Sequence, residues 1–465
     1  MQLGDLLDDC SLDVATSSIE ISSVEIDSRR CTPGSLFVAL PGAHRDGLDF
    51  AQDAVTRGAS CVLASVKVDL DVPVVTVPGS QLHALLSHVS AAIVGHPETK
   101  TKLVGVTGTN GKTSVTTIVA DLARSLEWNA AVIGTLTNER TTPAPPELFR
   151  TLGDLVGNFD SARHHSVVAL EVSSHALDQR RVEGLRFQVA AFTNLSHDHL
   201  DYHATMERYF AAKASLFTSE FAQRAVIWVD DPFGERLAAM TNLPVSRVSR
   251  ADARDVVTLL TGTTFFWRDR LVNTSLVGSY NVDNSLVALA ILSALGADEA
   301  ELAHAMGDVG PIAGRFNVLS GSEVTVVVDY AHTPEGLRRL LEDVREISST
   351  GRLITVFGCG GDRDRAKRPE MGLVASTYSD LTIVTSDNPR SESPDAIIDA
   401  VLEGVLVGRD VRRESDRREA IAAAIRLAGP GDVVVIAGKG HETTQMIGDL
   451  VLPFDDRVVA REYLR

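Results

Sequence analysis

The chain has 465 residues, 44% of them hydrophobic and 23% charged, and a formal net charge of −18 at pH 7. This composition excludes a disordered or fibrous protein, and the negative charge argues against a nucleic-acid partner because it would repel a phosphate backbone. The length exceeds that of one ordinary domain, and we expect three domains.

The N-terminal segment MQLGDLLDDC is acidic, whereas a signal peptide begins with basic residues. No apolar run in the sequence approaches the roughly 20 residues that a membrane-spanning helix needs. The four cysteines are scattered without the paired spacing of a metal site, which is typical of a protein in a reducing cytosol. We therefore predict a cytoplasmic protein with no membrane insertion.

Residues 1–98 form the first predicted domain, a small α/β unit. Here β-branched runs alternate with polar turns and a helical stretch, a pattern typical of parallel βαβ units. The expected strands are Val24–Asp27, Leu36–Leu40, Cys61–Ala64 and Val74–Val77, and the expected helix is Phe50–Arg57.

Two further α/β domains are predicted at residues 99–316 and 317–465. The middle domain has expected strands at Lys102–Val106, Ala130–Ile133, Val167–Glu171, Val189–Thr193 and Ala225–Val229, and a polar helix at Met206–Phe217. The last domain has expected strands at Thr325–Asp329, Leu353–Phe357, Leu381–Val384 and Val433–Ala437, and helices near 334–347, 394–406 and 416–428. The predicted fold class is α/β, with three such domains in series.

A phosphate-binding loop is predicted directly after the first strand of the middle domain. The apolar run 103–106 leads into Thr107-Gly108-Thr109-Asn110-Gly111-Lys112-Thr113-Ser114, ahead of a helical stretch. Such a loop directs backbone N–H groups at phosphate oxygens, while Lys112 supplies positive charge and Thr113 can hold a magnesium ion. The strict P-loop pattern requires glycine at the position of Val106. A glycine-rich turn without a ligand is the alternative, but strand, glycines, lysine and hydroxyl coincide here.

The loop sequence TGTNGKT resembles that of the Mur ligases and their folate-tail-adding relatives, and further motifs follow in the family's order. They are Asp27-Ser28-Arg29, Glu171-Val172-Ser173-Ser174-His175, Thr193-Asn194-Leu195 with Asp198-His199, Ala212-Lys213, Asp329-Tyr330-Ala331-His332, Asp387-Asn388-Pro389-Arg390 and Gly438-Lys439-Gly440-His441-Glu442. The resemblance implies the three-domain Mur ligase architecture and a monomeric enzyme. Its N-terminal domain would bind a UDP-sugar, its central P-loop ATPase-like domain ATP, and its C-terminal Rossmann-like domain the amino acid.

The family converts a carboxylate into an acyl phosphate with ATP, and the incoming amine then attacks it. The likeness implies ATP and Mg²⁺ as cofactors, catalytic roles for Lys112, Glu171, His199 and Lys213, and metal binding by Thr113, Glu171, His199 and Lys213. In the family the lysine matching Lys213 is carbamylated, because a carbamate can bind magnesium whereas an ammonium is repelled by it. His199 could equally be a structural hydrogen-bonding residue, and Lys213 could be a surface lysine on an amphipathic helix.

The likeness also implies three sets of ligand contacts. The nucleotide contacts are Gly108, Thr109, Asn110, Gly111, Lys112, Thr113, Ser114, Asn281, Arg315 and Asp329. The UDP-sugar peptide contacts are Ser28, Thr141, Thr142, Ser173, Gln179 and Arg181. The amino-acid contacts are Arg363, Asp387, Asn388, Pro389, Arg390, Gly438 and Glu442. Individually the UDP-sugar peptide contacts are weak signals, because a hydroxyl can also serve as a helix cap or turn residue. Arg315, among the nucleotide contacts, could form an ordinary interdomain salt bridge.

Within the family, Asp387-Asn388-Pro389-Arg390 is the motif form associated with meso-diaminopimelate. A guanidinium can hold the distal carboxylate of that substrate through two parallel charged hydrogen bonds, whereas lysine has no carboxylate there. The implied function is ATP-dependent addition of meso-2,6-diaminopimelate to UDP-N-acetylmuramoyl-L-alanyl-D-glutamate, a step of peptidoglycan precursor synthesis. The alternatives are a same-fold ligase that adds L-lysine or another amino acid, and a nucleotide-binding paralogue without turnover. For Arg390 itself, a salt bridge at a helix start is the plain alternative.

Overall fold

Three β-sheets with flanking helices follow one another along the chain, which confirms the predicted α/β class. The structure is a computed structural model that describes residues 1–464 except 9, 11, 43, 44, 322 and 349. The helices within these described residues are all too short or too polar to cross a membrane.

The first sheet has four parallel strands. Its elements are β1 (Ser23–Glu25), β2 (Ser35–Val38), β3 (Ala59–Ala64) and β4 (Val74–Thr76), with helices α1 (Leu3–Leu6), α2 (Val14–Ser17), α3 (Ala51–Thr56) and α4 (Leu82–Ala92). The strands lie in the order β1-β2-β3-β4. Leu36, Val38 and Leu63 of the sheet pack with Leu86 of α4 in one buried cluster, because alternate strand residues face the same side.

The second sheet has six parallel strands. The elements in this part of the chain are β5 (Lys102–Thr107), β6 (Asn129–Ile133), β7 (Ser166–Glu171), β8 (Phe187–Phe192), β9 (Ala222–Trp228) and β10 (Val245–Val248), with α5 (Lys112–Ser125), α6 (Pro145–Gly157), α7 (Ser174–Asp178), α8 (Leu200–His203), α9 (Met206–Ala214) and α10 (Pro232–Met240). The strand order is β10-β9-β8-β5-β7-β6. After β5 the chain forms β6 and β7 on one side of this strand and then β8, β9 and β10 on its other side. Because the strand order reverses there, a crevice opens at the carboxyl end of β5.

A small antiparallel sheet follows, and the sequence reading did not predict it. It consists of β11 (Ala253–Leu259), β12 (Gly262–Trp267) and β13 (Arg270–Thr274), and is followed by α11 (Ser279–Ala294) and α12 (Glu299–Ala305). Phe265, Trp267 and Val272 are buried against the same core as Leu286 of α11. The other face is exposed, and this alternating burial is typical of an antiparallel sheet with one solvated side.

The third sheet has six strands, of which only the first is antiparallel to its neighbour. Its elements are β14 (Asn317–Ser320), β15 (Thr325–Asp329), β16 (Leu353–Phe357), β17 (Leu381–Val384), β18 (Asp410–Arg413) and β19 (Val433–Ala437), with α13 (Pro334–Ile347), α14 (Lys367–Tyr378), α15 (Pro394–Leu402), α16 (Arg417–Leu427) and α17 (Asp456–Tyr463). A hairpin of β20 (Thr444–Ile447) and β21 (Leu450–Pro453) precedes α17.

The order of the third sheet is β14-β15-β19-β16-β17-β18. Strands β19, β16 and β17 are therefore parallel neighbours whose carboxyl ends meet at one edge. The loops that leave these three ends begin at residues 358, 385 and 438. This topology brings together segments that lie far apart in the sequence.

Candidate active site

The loop between β5 and α5 is held in a tight conformation by two glycines. Gly108 and Gly111 have φ angles of +151° and +89°. A Cβ atom at Gly108 would lie 1.9 Å from Thr193 Oγ1, and one at Gly111 would lie 2.5 Å from Asn284 Oδ1. Glycine is therefore required at both positions. Because α5 begins at Lys112, the N–H groups of its first turn are free to bind an anion.

The side-chain amino groups of Lys112 and Lys213 meet at one carbonyl oxygen. Lys112 Nζ and Lys213 Nζ donate to Gly108 O at 2.9 Å and 2.8 Å. Burial and the charge of Lys112 hold the pKa of Lys213 well below its usual value. Burial also lowers the pKa of Lys112, against the opposing attraction of Glu171 and Asp198. The two amino groups thus lie side by side, and Lys213, which is only 1% exposed, is driven toward its neutral amine form.

The Glu171 carboxylate lies next to the loop at the carboxyl end of β7. Its Oε2 accepts from Thr113 Oγ1 at 2.9 Å and from Thr135 Oγ1 at 3.2 Å, and its Oε1 accepts from the Thr135 N–H at 2.8 Å. Arg315 Nη2 donates to the same Thr113 hydroxyl at 3.3 Å. A Cβ at position 134 would lie 2.2 Å from Glu171 Oε1, so Gly134 leaves room for the carboxylate. Thr135 was not predicted, because nothing in its sequence neighbourhood indicates a contact with position 171.

His199 lies on the other side of the loop in a left-handed backbone conformation, with φ of +55°. Its Nε2 is 3.5 Å from Asp198 Oδ2, and its ring centroid is 5.0 Å from that of His175. Burial lowers the pKa of His199 to about 3, although Asp198 opposes the shift. The imidazole is therefore neutral at pH 7, which is the form that can bind a metal ion.

Asp329 connects the second and third domains. Its Oδ2 accepts from Tyr280 Oη and from the Phe316 N–H, both at 2.7 Å, and its Oδ1 accepts from the Ala331 N–H at 2.7 Å. Asn281, a predicted nucleotide contact, is 1% exposed and donates to the Val277 carbonyl at 2.7 Å. Asp329 and Asn281 thus both form hydrogen bonds with other groups of the protein.

A cleft of about 780 Å³ lies between the second and third domains and joins these groups. The predicted residues that line it are Thr109, Asn110, Gly111, Lys112, Thr113, Ser114, Thr141, Glu171, Ser173, His199, Arg315 and Asp329. Gly108 belongs to the loop itself, and Lys213 donates to its carbonyl from beneath. Asn281 does not line the cleft, but its helical neighbour Asn284 does. Asn194, another unpredicted lining residue, accepts from the Asn110 N–H at 2.9 Å through its Oδ1.

The predicted UDP-sugar contacts are distributed over two domains. Thr142 Oγ1 donates to the Glu171 carbonyl at 2.8 Å, and Arg181 donates to the Thr142 carbonyl at 2.9 Å and to Gln179 Oε1 at 2.6 Å. Ser173 caps α7 by accepting from the Ala176 N–H. Thr141 binds Thr135 at 3.1 Å through its hydroxyl.

Ser28 lies in the first domain and does not line the cleft. The first and second domains contact each other through Arg150 and Glu25, whose side chains are 2.8 Å apart. Burial and the neighbouring charge of Arg140 lower the pKa of Arg181. Arg181 and Arg140 are thus neighbouring cations of the second domain, which suits an anionic ligand such as a diphosphate.

The predicted amino-acid contacts form a second cluster at the edge where β19, β16 and β17 end. Asn388 Nδ2 donates to Glu442 Oε2 at 2.8 Å. A Cβ at Gly438, where φ is +114°, would lie 2.6 Å from the Asp387 carboxylate. Burial raises the pKa of Asp387 despite the nearby Arg417 and Lys439. None of these residues lines the cleft.

Arg390 has a left-handed backbone, with φ of +51°, and lies beside the β20–β21 hairpin. Its guanidinium makes one hydrogen bond, from Nη1 to the Gly361 carbonyl at 2.6 Å. Burial, followed by the charge of Arg363, lowers its pKa. Among the described residues no carboxylate forms an ion pair with it, so the salt bridge considered as the alternative for Arg390 is not seen there.

The phosphate-loop region offers oxygen donors of the kind that magnesium binds. Among the described residues, no group of three or more His, Cys, Asp or Glu side chains could hold a metal ion alone. The Thr113 hydroxyl and the Glu171 carboxylate nevertheless converge at 2.9 Å. Magnesium typically binds one or two protein oxygens together with water and substrate phosphates. The two oxygens at the loop fit this pattern.

Three family profiles match the sequence in order. They are described as "Mur ligase family, catalytic domain" over residues 20–114, "Mur ligase middle domain" over residues 106–292 and "Mur ligase, glutamate ligase domain" over residues 314–440.

Curated relatives align along nearly their full lengths. Proteins of Gloeobacter violaceus and Geobacillus kaustophilus, both named UDP-N-acetylmuramoyl-L-alanyl-D-glutamate--2,6-diaminopimelate ligase, are each 43% identical to this chain. The alignments cover 100% of this chain and 98% of the first relative, and 95% of this chain and 94% of the second.

Solved structures show the same architecture. A ligase structure of the same name is 31% identical, with a TM-score of 0.69, and covers 100% of this chain and 98% of its own. A MurF ligase from Thermotoga maritima, solved with ADP, is 18% identical, with a TM-score of 0.65 over 95% of this chain and 96% of its own. At 18% identity, the likeness to the MurF ligase shows a shared fold alone.

Proposed function

The chain belongs to the Mur ligase family, and from that premise we propose that it joins meso-2,6-diaminopimelate to UDP-N-acetylmuramoyl-L-alanyl-D-glutamate through an acyl-phosphate intermediate. It is an ATP-dependent ligase that forms an amide bond. The observation that supports the choice of amino acid is Arg390, whose half-buried guanidinium makes one hydrogen bond to the part of the chain that the structure describes. A cation held in that way is complementary to the distal carboxylate of diaminopimelate.

The first step is activation of the D-glutamate side-chain carboxylate of the nucleotide substrate. The N–H groups at the start of α5 bind the ATP phosphates, and Lys112 and Arg315 neutralise charge on the transferring phosphoryl group. Lys112 now donates to its own loop at Gly108 and Thr109, so it must turn toward the phosphates when ATP binds. A magnesium ion held by Thr113, Glu171 and His199 would supply further charge neutralisation there.

Lys213 is proposed to act as a carbamate. Its lowered pKa favours the neutral amine, which is the form that adds to carbon dioxide with loss of a proton. The product would carry a negative charge beside Lys112, so a neutral amine that cannot be protonated next to a cation would become an anion that the cation attracts. A carbamate oxygen is also a hard ligand suited to magnesium.

The second step joins the amino acid to the activated carboxyl group. Arg390 and Arg363 would hold the distal carboxylate of diaminopimelate, and Glu442 the distal ammonium. The free amine at the other end attacks the carbonyl carbon of the acyl phosphate. The C–N bond forms, the C–O bond to phosphate breaks, and inorganic phosphate leaves while the nitrogen loses a proton.

We propose that the enzyme acts as a monomer in the cytoplasm, and the reduced thiols of Cys31, Cys61 and Cys359 support a reducing compartment. The proposed domain boundaries, 1–98, 99–316 and 317–465, each enclose one of the three large sheets.

A competition assay tests the function. The chain is incubated with the UDP-muramoyl dipeptide, ATP, magnesium, and equal amounts of meso-diaminopimelate and L-lysine, and the products are identified by mass spectrometry. The diaminopimelate adduct and ADP are expected. Formation of the lysine adduct alone would overturn the proposed specificity, and ATP binding without a product from any amino acid would identify a non-catalytic paralogue.

A further inference from the structure

We infer that Lys439 is a positioning residue of the amino-acid site, which sets Asn388 and Glu442 in the orientation that receives the distal ammonium and carboxylate of the incoming amino acid. The inference rests on the proposed function, because Asn388 and Glu442 are amino-acid contacts only in that proposal. Lys439 itself is not among the predicted site residues, although it lies within the motif Gly438-Lys439-Gly440-His441-Glu442.

Lys439 contacts both residues at once. Its Nζ donates to Asn388 Oδ1 at 3.0 Å and to Glu442 Oε2 at 2.9 Å. Asn388 Nδ2 donates to the same Glu442 oxygen at 2.8 Å, and the Met446 N–H donates to Asn388 Oδ1 at 3.0 Å. Lys439 is 0% exposed, whereas the Glu442 side chain is 31% exposed. The ammonium therefore lies behind the two side chains, and the carboxylate reaches the surface of the site.

This arrangement decides which polar atoms remain for a ligand. The two donors on Glu442 Oε2 leave Oε1 as a free acceptor, and no described residue donates to it. The Asn388 carbonyl oxygen has two donors, which fixes the amide with its nitrogen toward Glu442 and leaves the second N–H available. An anionic acceptor beside an amide donor is complementary to an ammonium and a carboxylate on one carbon atom. Arg390 adds the charge that a carboxylate needs.

The charge of Lys439 matters as well as its hydrogen bonds. Burial alone would raise the pKa of Glu442, but Lys439 and the hydrogen bonds that it and Asn388 donate outweigh burial and lower it. Glu442 is therefore an anion that can attract an ammonium group. Without Lys439, a largely buried carboxylate would lose its counter-charge.

Arg417 holds the backbone of the two loops that carry Asn388 and Lys439. Arg417 donates to the carbonyls of Ala437 at 3.0 Å and Ser386 at 3.3 Å. These carbonyls lie one or two residues before Gly438, Lys439 and Asn388, so the two loops are tied to one buried guanidinium. Lys439 then acts on side chains whose backbone is already fixed.

The test compares Lys439→Met with Lys439→Gln and with the control Lys102→Met. Lys102 is a partly buried lysine of the second domain whose Nζ donates to the Leu295 carbonyl at 3.0 Å. Steady-state kinetics with phosphate release give KM for diaminopimelate, ATP and the UDP-muramoyl dipeptide, and circular dichroism reports folding. In Lys439→Met the KM for diaminopimelate should rise by about tenfold or more, the range for losing hydrogen bonds to a charged group. The other two KM values should stay within about twofold.

Lys439→Gln retains one donor and should show a smaller increase of the same selective kind, so it serves as the test if the methionine variant does not fold. An unchanged KM for diaminopimelate in a folded variant, or an equal rise in all three KM values, would overturn the inference. Isothermal titration of the wild-type chain with diaminopimelate distinguishes a failure of the proposed function from a failure of the role inferred for Lys439. A wild-type chain that neither binds nor consumes it would overturn the proposed function and this inference together, whereas an active wild type with an unaffected variant would overturn only the role of Lys439.

Discussion

Replacing Arg417 with methionine should destabilise the C-terminal domain by about 3–5 kcal/mol, the usual cost of removing one partner of a buried ion pair. Arg417 and Asp456 are both 0% exposed, and two hydrogen bonds of 2.8 Å join their side chains. In Arg417→Met the Asp456 carboxylate would remain buried without a counter-charge, and the Ser386 and Ala437 carbonyls would each lose a donor.

Urea denaturation followed by circular dichroism measures the effect. With a slope of about 1–3 kcal/mol per molar urea, a loss of about 3–5 kcal/mol corresponds to a midpoint lower by roughly 1–5 M. The control is Arg418→Met, because Arg418 and Glu462 join the same two helices at the surface, with side chains 44% and 46% exposed. That variant should lose about 1 kcal/mol or less.

The double variant Arg417→Met/Asp456→Leu removes both buried charges and should regain most of the lost stability. The reasoning would be refuted if Arg417→Met were no less stable than Arg418→Met. It would equally be refuted if the double variant were as unstable as the single one, since the cost would then not come from the stranded carboxylate.

Three further predictions concern the reaction and its dependence on pH. Arg390→Ala should raise the KM for diaminopimelate by about tenfold or more while leaving that for ATP unchanged; in the competition assay, undiminished preference over L-lysine would contradict this. Lys213→Ala should lose ligase activity and regain part of it when a short carboxylate is added, because the carboxylate can replace the carbamate oxygens; full activity of the variant without rescue would remove the carbamate proposal. The unfolding free energy should fall as the pH drops from about 6.5 toward 4, because burial lowers the pKa of His332 and of His441 to about 4, whereas the unfolded chain takes up these protons near pH 6.5. His441→Gln should decline less steeply over this interval, and identical profiles for the two proteins would argue against buried neutral histidine as the cause.

Much of the parallel α/β framework was predictable from local pattern. The runs at Thr325–Asp329, Leu353–Phe357, Leu381–Val384 and Val433–Ala437 are strands with the predicted bounds, because strands buried on both faces are continuous apolar runs bounded by turns. Predictions failed where this signal is absent. The antiparallel sheet β11–β13 has one solvated face, so its strands alternate rather than run apolar throughout, and the polar helix predicted at Met206–Phe217 ends at Ala214.

The phosphate loop could be recognised because its chemistry is contiguous in sequence. Strand, glycines, lysine and hydroxyl follow within a few residues, and the structure forms them as expected around Gly108 and Gly111. The family motifs likewise located Glu171, Lys213 and Arg390. The contacts of these residues were not predictable in the same way, because the partners are distant in the chain.

Local periodicity and contiguous motifs therefore sufficed to predict the class of fold, the family and the residue types that can bind phosphate and carboxylate. The contacts between these residues are seen only in the folded chain, where Thr135 donates to Glu171, Asn284 lies against Gly111, and Lys439 lies behind Asn388 and Glu442. The sequence does not specify these contacts locally, because strand order is a property of the whole sheet. Placing β19 between β15 and β16 brings residues 388 and 439 within hydrogen-bond distance, and no local pattern along the chain specifies that insertion.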